Sequence, residues 1–254
     1  MGKLAYRDDK HLNFLNKVDN NKLGILVKII TEDKDGNIRD SEDLTLQDEY
    51  KKYHPNHQRY WRLIVADYQY FGGNTLVSMF RGKGVLYEEM LRDTCSDMKV
   101  NLPKNASIET KERNLLLKII ERSLEEMTDK EKEEFLKSLD LNSANLTTPV
   151  IMATLQTAIL AGGFYSYQLA VIVANSIAKA LLGQGLLFAT NTAITRGLAV
   201  FAGPIGWAVT AGLTAVSLAG PAKRVTIPAT IYIASLRQAE FYSERKPKKK
   251  VSNS

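Results

Sequence analysis

The sequence predicts an all-α, multi-helical fold made of a charged N-terminal helical half and a glycine-rich, apolar C-terminal helical block. Three observations predict it. Apolar residues recur three and four apart along the first 140 positions, the spacing that lines one face of a helix. Asp19 and Thr128 stand where such runs begin, as N-caps do. Beyond residue 140 charge nearly vanishes, and residues 141–178 and 197–222 contain no Asp, Glu, Lys or Arg at all.

Leu12, Phe14, Leu15 and Val18, then Leu23, Ile25, Leu26, Ile29 and Ile30, predict a helical hairpin broken at Asp19-Asn20-Asn21, a small N-terminal domain over residues 1–40. Asp33-Lys34-Asp35-Gly36-Asn37 has the look of a calcium loop. Its glycine comes too early and no closing ligand is in register, so a tight turn is expected.

Residues 41–140 read as a charged helical domain. Its first part is dense in aromatics (Tyr50, Tyr53, Tyr60, Trp61, Tyr68, Tyr70, Phe71), which marks a core or an interface. His54 and His57 are three apart, but Pro55 lies between them and no third ligand follows at a convincing spacing. They are therefore expected as exposed or capping histidines, and no metal site is expected. Gly72-Gly73-Asn74 and Arg81-Gly82-Lys83-Gly84 each lead into a helical pattern. A basic glycine turn before a helix can hold an anion on free N–H groups, yet the spacing fits neither a P-loop nor a dinucleotide fingerprint, so helix linkers are the competing reading. From Glu109 a long amphipathic helix carries Leu115, Leu116, Ile119, Ile120, Leu124 and Met127, and Thr128 with Glu131 forms a capping box for the next.

The apolar block is expected over residues 141–245, with a basic tail at 246–254. Gly162-Gly163, Gly183 with Gly185, Gly203-Pro204 with Gly206, and Gly220-Pro221 divide it into short segments. Gly197 to Gly220 reaches the roughly 20 residues of a membrane span. Pro204, the glycines and amides such as Gln168 and Asn175 suit helices packed on one another through small residues. A buried core, a re-entrant hairpin and conventional spans all remain open at this level.

Charge sharpens the division. Met1 to Asp140 carry 24 basic and 26 acidic residues, whereas the rest of the chain carries 10 basic and 2 acidic. That basic surplus, which includes Lys223, Arg224 and Arg237, brackets apolar segments. It points to an anionic membrane surface rather than to nucleic acid. Met1-Gly2 lacks the Ser or Thr that myristoylation wants, Tyr6 standing there instead. The absence of an opening apolar stretch and the single cysteine, Cys95, predict residence in the cytoplasm, peripheral to the inner face of the membrane. Cys95 sits among Leu91 and Met98 at helical spacing and reads as a core residue. Three histidines, one cysteine and no paired carboxylates predict no catalytic residues, no cofactor and no small-molecule substrate.

Leu4 to Asp9 with Leu12 and Phe14-Leu15, Asp33 to Gly36, Phe71 to Thr75, Arg81 to Val85, Gly162 to Phe164, Val173 to Asn175, Gly203 to Trp207 and Ala219 to Pro228 resemble the motifs of the YaaW-like family of uncharacterised bacterial proteins. The resemblance spans nearly the whole chain. That group has been classed with the ubiquinol-cytochrome c chaperones, so the resemblance implies a helical fold and chaperone-like assembly work. The expectation is a non-enzymatic, membrane-proximal factor that meets an anionic membrane or a protein partner. Its binding residues would be Gly72, Gly73, Asn74, Arg81, Gly82, Gly84, Gly203, Pro204, Gly206, Trp207, Lys223 and Arg224. Competing expectations are a pore-forming effector and a soluble interaction module with a buried apolar core.

Overall fold

A computed structural model describes residues 4–33, 35–40, 42–72, 84–161, 163–182, 204 and 222–244. Among these residues the fold is all-α. The helices are α1 (Asn20–Thr31), α2 (Asp48–Tyr53), α3 (Trp61–Gly72), α4 (Tyr87–Asp97), α5 (Ile108–Glu125), α6 (Asp129–Ser138), α7 (Thr148–Ala161), α8 (Gly163–Leu182) and α9 (Lys223–Glu244).

The helix starts follow capping chemistry. Asp19 accepts the N–H of Asn21 at 2.9 Å to open α1, Ser107 accepts that of Thr110 at 3.2 Å to open α5, and Thr128 and Glu131 form the expected reciprocal box on α6. The segment before Asp19 departs from the hairpin expectation. Asn13–Lys17 is a five-residue 3-10 turn, and Val18 is already extended. Too few residues lie between Leu12 and the Asp19 cap to propagate an α-helix. The Asp33 to Asn37 turn forms as expected: Asp33 Oδ1 accepts the N–H groups of Asp35 and Asn37, each at 2.9 Å. Gly36 takes a φ of 81°, the left-handed region where glycine is favoured.

The core runs as one apolar cluster from Leu4 to Leu236. At its centre is α9, which packs most extensively on α8 and also touches α5, α1, α4 and α3. Residues 227–236 of α9 are all buried, as are residues 168–178 of α8. A helix buried on every side needs apolar or small residues on every side. That is why these segments carry almost no charge, and for α8 and α9 the buried-core reading of the block is the one found. Tyr232 of α9 is fully buried and donates its hydroxyl to the carbonyl of Lys22 at 3.1 Å. Among the described residues no helix is long and apolar enough to cross a membrane.

Gly24, midway along α1, shows how closely the elements fit. A Cβ built there would lie 2.9 Å from His57 Nε2, and the His57 ring is buried and held by Tyr60. Replacing a mid-helix glycine by alanine ordinarily gains about 1 kcal/mol of helix propensity, whereas overpacking a core costs about 1–3 kcal/mol. Gly24→Ala is therefore expected to lower stability by up to about 2 kcal/mol in a urea titration; a gain in stability would show that the His57 ring is free to move aside.

Candidate functional site

The described part of the charge-free block presents one face to solvent, and it lies on α7. Between Thr148 and Ala161 the helix has no ionisable residue, yet Pro149, Val150, Ala153, Gln156, Thr157, Leu160 and Ala161 are exposed. Leu160 is 86% exposed, and Val150 38%. The hydroxyls of Thr154 and Thr157 bond back to the carbonyls of Val150 and Ala153, at 3.0 and 2.9 Å. Their polar atoms are thereby partly spent on the helix itself, and Gln156 alone among the exposed side chains keeps a polar head free of such a bond. The contrast with α6 is direct: Asp129, Lys130, Glu133, Glu134 and Lys137 are its exposed residues, all charged. The buried side of α7, Ile151, Met152, Leu155 and Ala158, packs toward α8 and α5.

The expected binding residues divide by position. Gly73, Asn74, Arg81, Gly82, Gly203, Gly206 and Trp207 lie outside the described residues, and Pro204 is described alone, in helical conformation and half-buried. Gly72 and Gly84, by contrast, are brought together. A Cβ on Gly72 would meet Met90 Sδ at 2.6 Å, and one on Gly84 would meet Gln69 Cβ at 2.7 Å. Gln69 also receives the N–H of Val85 on its carbonyl at 3.0 Å and exchanges two bonds with the backbone of Arg7, whose guanidinium donates to Gly84 O at 2.9 Å. These glycines let the end of α3, the approach to α4 and the N-terminal segment close on one another, a packing role. Lys223 pairs with Asp97 at 2.8 Å, tying the start of α9 to the end of α4, while Arg224 is exposed.

A charged network that the sequence reading missed sits behind these elements. Glu112 of α5 is fully buried. Its Oε1 accepts the Tyr87 hydroxyl at 2.7 Å and Arg237 Nε at 2.6 Å, and its Oε2 accepts Gln238 Nε2 at 2.9 Å. Arg237 also donates to the carbonyl of His11 at 2.9 Å and lies 3.5 Å from Glu109. Asp9 completes the ring of contacts, accepting the N–H of Tyr87 at 2.7 Å and that of His11 at 2.9 Å. Three donors converging on Glu112 demand an acceptor-only carboxylate. Burial works against that charge and, even with Arg237 alongside, holds its pKa above the ordinary value. Burial and the Glu112 charge likewise push the Tyr87 hydroxyl well up. Arg237 therefore belongs to the interior, not to a basic fringe around the block. The one signal in the sequence was that Arg237 follows a run, Val225 to Leu236, that carries no charged residue.

Other polar groups are buried without serving that network. Cys95 is a core residue as expected, its thiol pushed up to about 12 by burial. His57 is buried, against the exposed or capping role expected, and burial and the nearby His54 push its imidazole down to about 4. His54 is exposed and caps the C-terminus of α2. The buried Asp67 of α3 is pushed up to about 7, first by burial and then by the charge of Glu42. On α8, Ser166, Gln168, Asn175 and Ser176 each bury an oxygen with no hydrogen-bond partner among the described residues. Ser166 and Gln238 border a cavity, with room for about one water, between α5, α7, α8 and α9. Among the described residues no three His, Cys, Asp or Glu side chains converge as metal ligands.

Comparison with known proteins places the chain. Residues 6–39 match a family model described as a domain of unknown function, DUF3944. This is the stretch that supplies Asp9, His11 and Arg7 to the contacts above. A UPF0174 protein of Helicobacter pylori is 44% identical over 235 residues, covering 92% of this chain and 93% of the relative. A second, from another strain, is 39% identical over 202 residues, 78% of this chain and 97% of that one. The UPF0174 protein YaaW of Escherichia coli is 33% identical over 238 residues, 92% and 95% of the two chains. None of the three carries a chaperone name, and no solved structure gives a significant match. Identity at this level over nearly the full length of both chains settles the family: this chain belongs to UPF0174, the bacterial family that includes YaaW.

Proposed function

We propose that the chain is a non-enzymatic, cytoplasmic binding or assembly factor, chaperone-like in that it covers an apolar surface of another protein, and that α7 is its docking element. The observation that supports this is the uncharged outer face of α7, with Leu160 at 86% exposure and Val150 at 38%. Leaving such a face in water forgoes hydrophobic stabilisation of about 25 cal/mol per Å² that a partner would recover. A protein partner is favoured over an anionic bilayer because helices that lie on such bilayers carry Lys or Arg along their polar side, and α7 carries neither. Two of the block's basic residues, Lys223 and Arg237, are moreover engaged by Asp97 and Glu112.

A photo-crosslinking residue placed at position 160 in the full-length protein tests the reading in cells. A discrete adduct is expected, and it is expected to fall at least about tenfold when Ala153→Glu is added, since one charge desolvated at an apolar contact costs more than the roughly 1.4 kcal/mol of a tenfold change. Adducts to lipid alone, or no adduct from a folded protein, would overturn the proposal in favour of a peripheral membrane role or of no docking at α7.

A further inference from the structure

We propose that, while no other partner is bound, the outer face of α7 is covered by α7 of a second copy of this chain, the two helices packing antiparallel about a two-fold axis. The pairing rests on the reading of α7 as the docking element. Along the exposed face Val150, Ala153, Thr157 and Leu160 stand three, four and three residues apart, the spacing of a seam whose side chains seat as knobs in the holes of a facing helix. All four are exposed, Leu160 at 86% and Val150 at 38%. Any such stripe has the same spacing from either end. What is particular to α7 is that the residue sizes mirror as well, large at both ends and small in the middle.

A two-fold axis passing beside residue 155 sets Val150 of each copy against Leu160 of the other, and Ala153 against Thr157. The small pair at the centre lets the two backbones approach closely, and the larger apolar pairs close the ends. The polar atoms of the face find partners too. Thr154 and Thr157 already donate to the carbonyls of Val150 and Ala153. Gln156 of one copy comes opposite Thr154 of the other, whose hydroxyl oxygen keeps a lone pair for the amide N–H. No charge has to be desolvated on either side, because α7 carries none. Antiparallel packing also sets the positive end of each helix dipole beside the negative end of its neighbour. An isologous interface requires a surface complementary to itself. An uncharged stripe with mirrored sizes meets that requirement, whereas a foreign partner would have to bring a matching stripe of its own. One pair of 14-residue helices buries less than the about 1,200 Å² of a stable complex. The dimer is therefore expected to be reversible, with a micromolar Kd, and to yield α7 to a partner that binds more tightly.

Sedimentation equilibrium of the purified full-length protein, from nanomolar to high micromolar concentration, is expected to show a reversible monomer–dimer equilibrium. Ala153→Glu should weaken it at least about 100-fold, since two-fold symmetry brings two carboxylates into the seam and each costs about tenfold or more. Lys130→Gln on the exposed face of α6, an equal change in net charge, should leave it unaltered. Cysteine pairing reads the register. Positions 150 and 160 lie about 15 Å apart along the helix. Under oxidation Val150→Cys alone and Leu160→Cys alone should therefore stay uncrosslinked, while their equimolar mixture forms a disulfide-linked dimer; Cys95 is buried and takes no part. A monomer at every concentration would overturn the pairing. So would a dimer indifferent to Ala153→Glu, or a crosslink formed by either cysteine variant by itself. A monomer that still gives a discrete protein adduct from position 160 in cells would sink the pairing and leave α7 as a docking element, so the two readings fail separately.

Discussion

Arg237→Met should be among the most damaging substitutions in the protein, lowering stability by about 3–5 kcal/mol, the usual cost of stripping the partner from a buried charge. Glu112 is fully buried and would keep only Tyr87 and Gln238 as donors. The size of the loss comes less from the pair's own attraction than from the uncompensated carboxylate left behind. Adding Glu112→Gln to that background should therefore recover part of the loss, because a neutral amide removes the stranded charge and Gln238 can turn its amide to match. Urea unfolding of wild type, both single variants and the double variant gives the coupling directly. A loss under about 1 kcal/mol for Arg237→Met would mean that water reaches Glu112 and that the network is less buried than described.

Asp67→Asn should stabilise the protein near neutral pH and above. Burial and the neighbouring Glu42 push the Asp67 carboxyl up to about 7, whereas in the unfolded chain it ionises near about 3.9. Between those values the folded state holds a proton that the unfolded state has released. Stability contributed by this group is thus fully present below about pH 4 and is lost as pH rises toward 7, by a few kcal/mol at most. Its Oδ1 accepts the Asp43 N–H at 3.4 Å, which an amide oxygen can also do, and its Oδ2 has no partner among the described residues. Asparagine keeps the shape and removes the titration. His57 opposes this trend in the wild type. Its imidazole, pushed down to about 4, is neutral when folded and protonated when unfolded at mildly acid pH, so its contribution grows as pH rises through that range. The difference between wild type and Asp67→Asn, followed from pH 4 to 8, isolates the aspartate. A gap of about 1–3 kcal/mol opening toward pH 8 is expected, and parallel curves would show that Asp67 is ionised in the folded protein throughout.

The helical skeleton was legible because its signals are local. Asp19 and Thr128 start helices by bonding N–H groups two and three residues away, and the Asp33 to Asn37 turn closes on its own side chain. Cys95 among Leu91 and Met98 reads as core from spacing alone and is core. The 3-10 geometry of residues 13–17 and 57–60 was not legible, because a run of apolar or aromatic residues three or four apart fits either helix type. The contact between the Tyr60 hydroxyl and His57 Nδ1 depends on which one forms. The candidate docking face was legible in composition and not in position. Thr148 to Ala161 and Thr230 to Leu236 are equally free of charge, yet the first is half exposed and the second is fully buried.

By itself the sequence determined an all-α chain, its main helix starts and a C-terminal block with long charge-free stretches, since periodicity and capping act within a turn or two of helix. Tertiary structure decided the rest: that α9 threads the middle of the molecule, that Arg237 turns inward to Glu112, 125 residues away in the chain, and that Gly24 exists to admit His57. The physical reason is that burial, counter-charge and close approach are properties of what a residue meets across the fold. Lack of charge is compatible with lipid, partner or core, and only packing chooses among them.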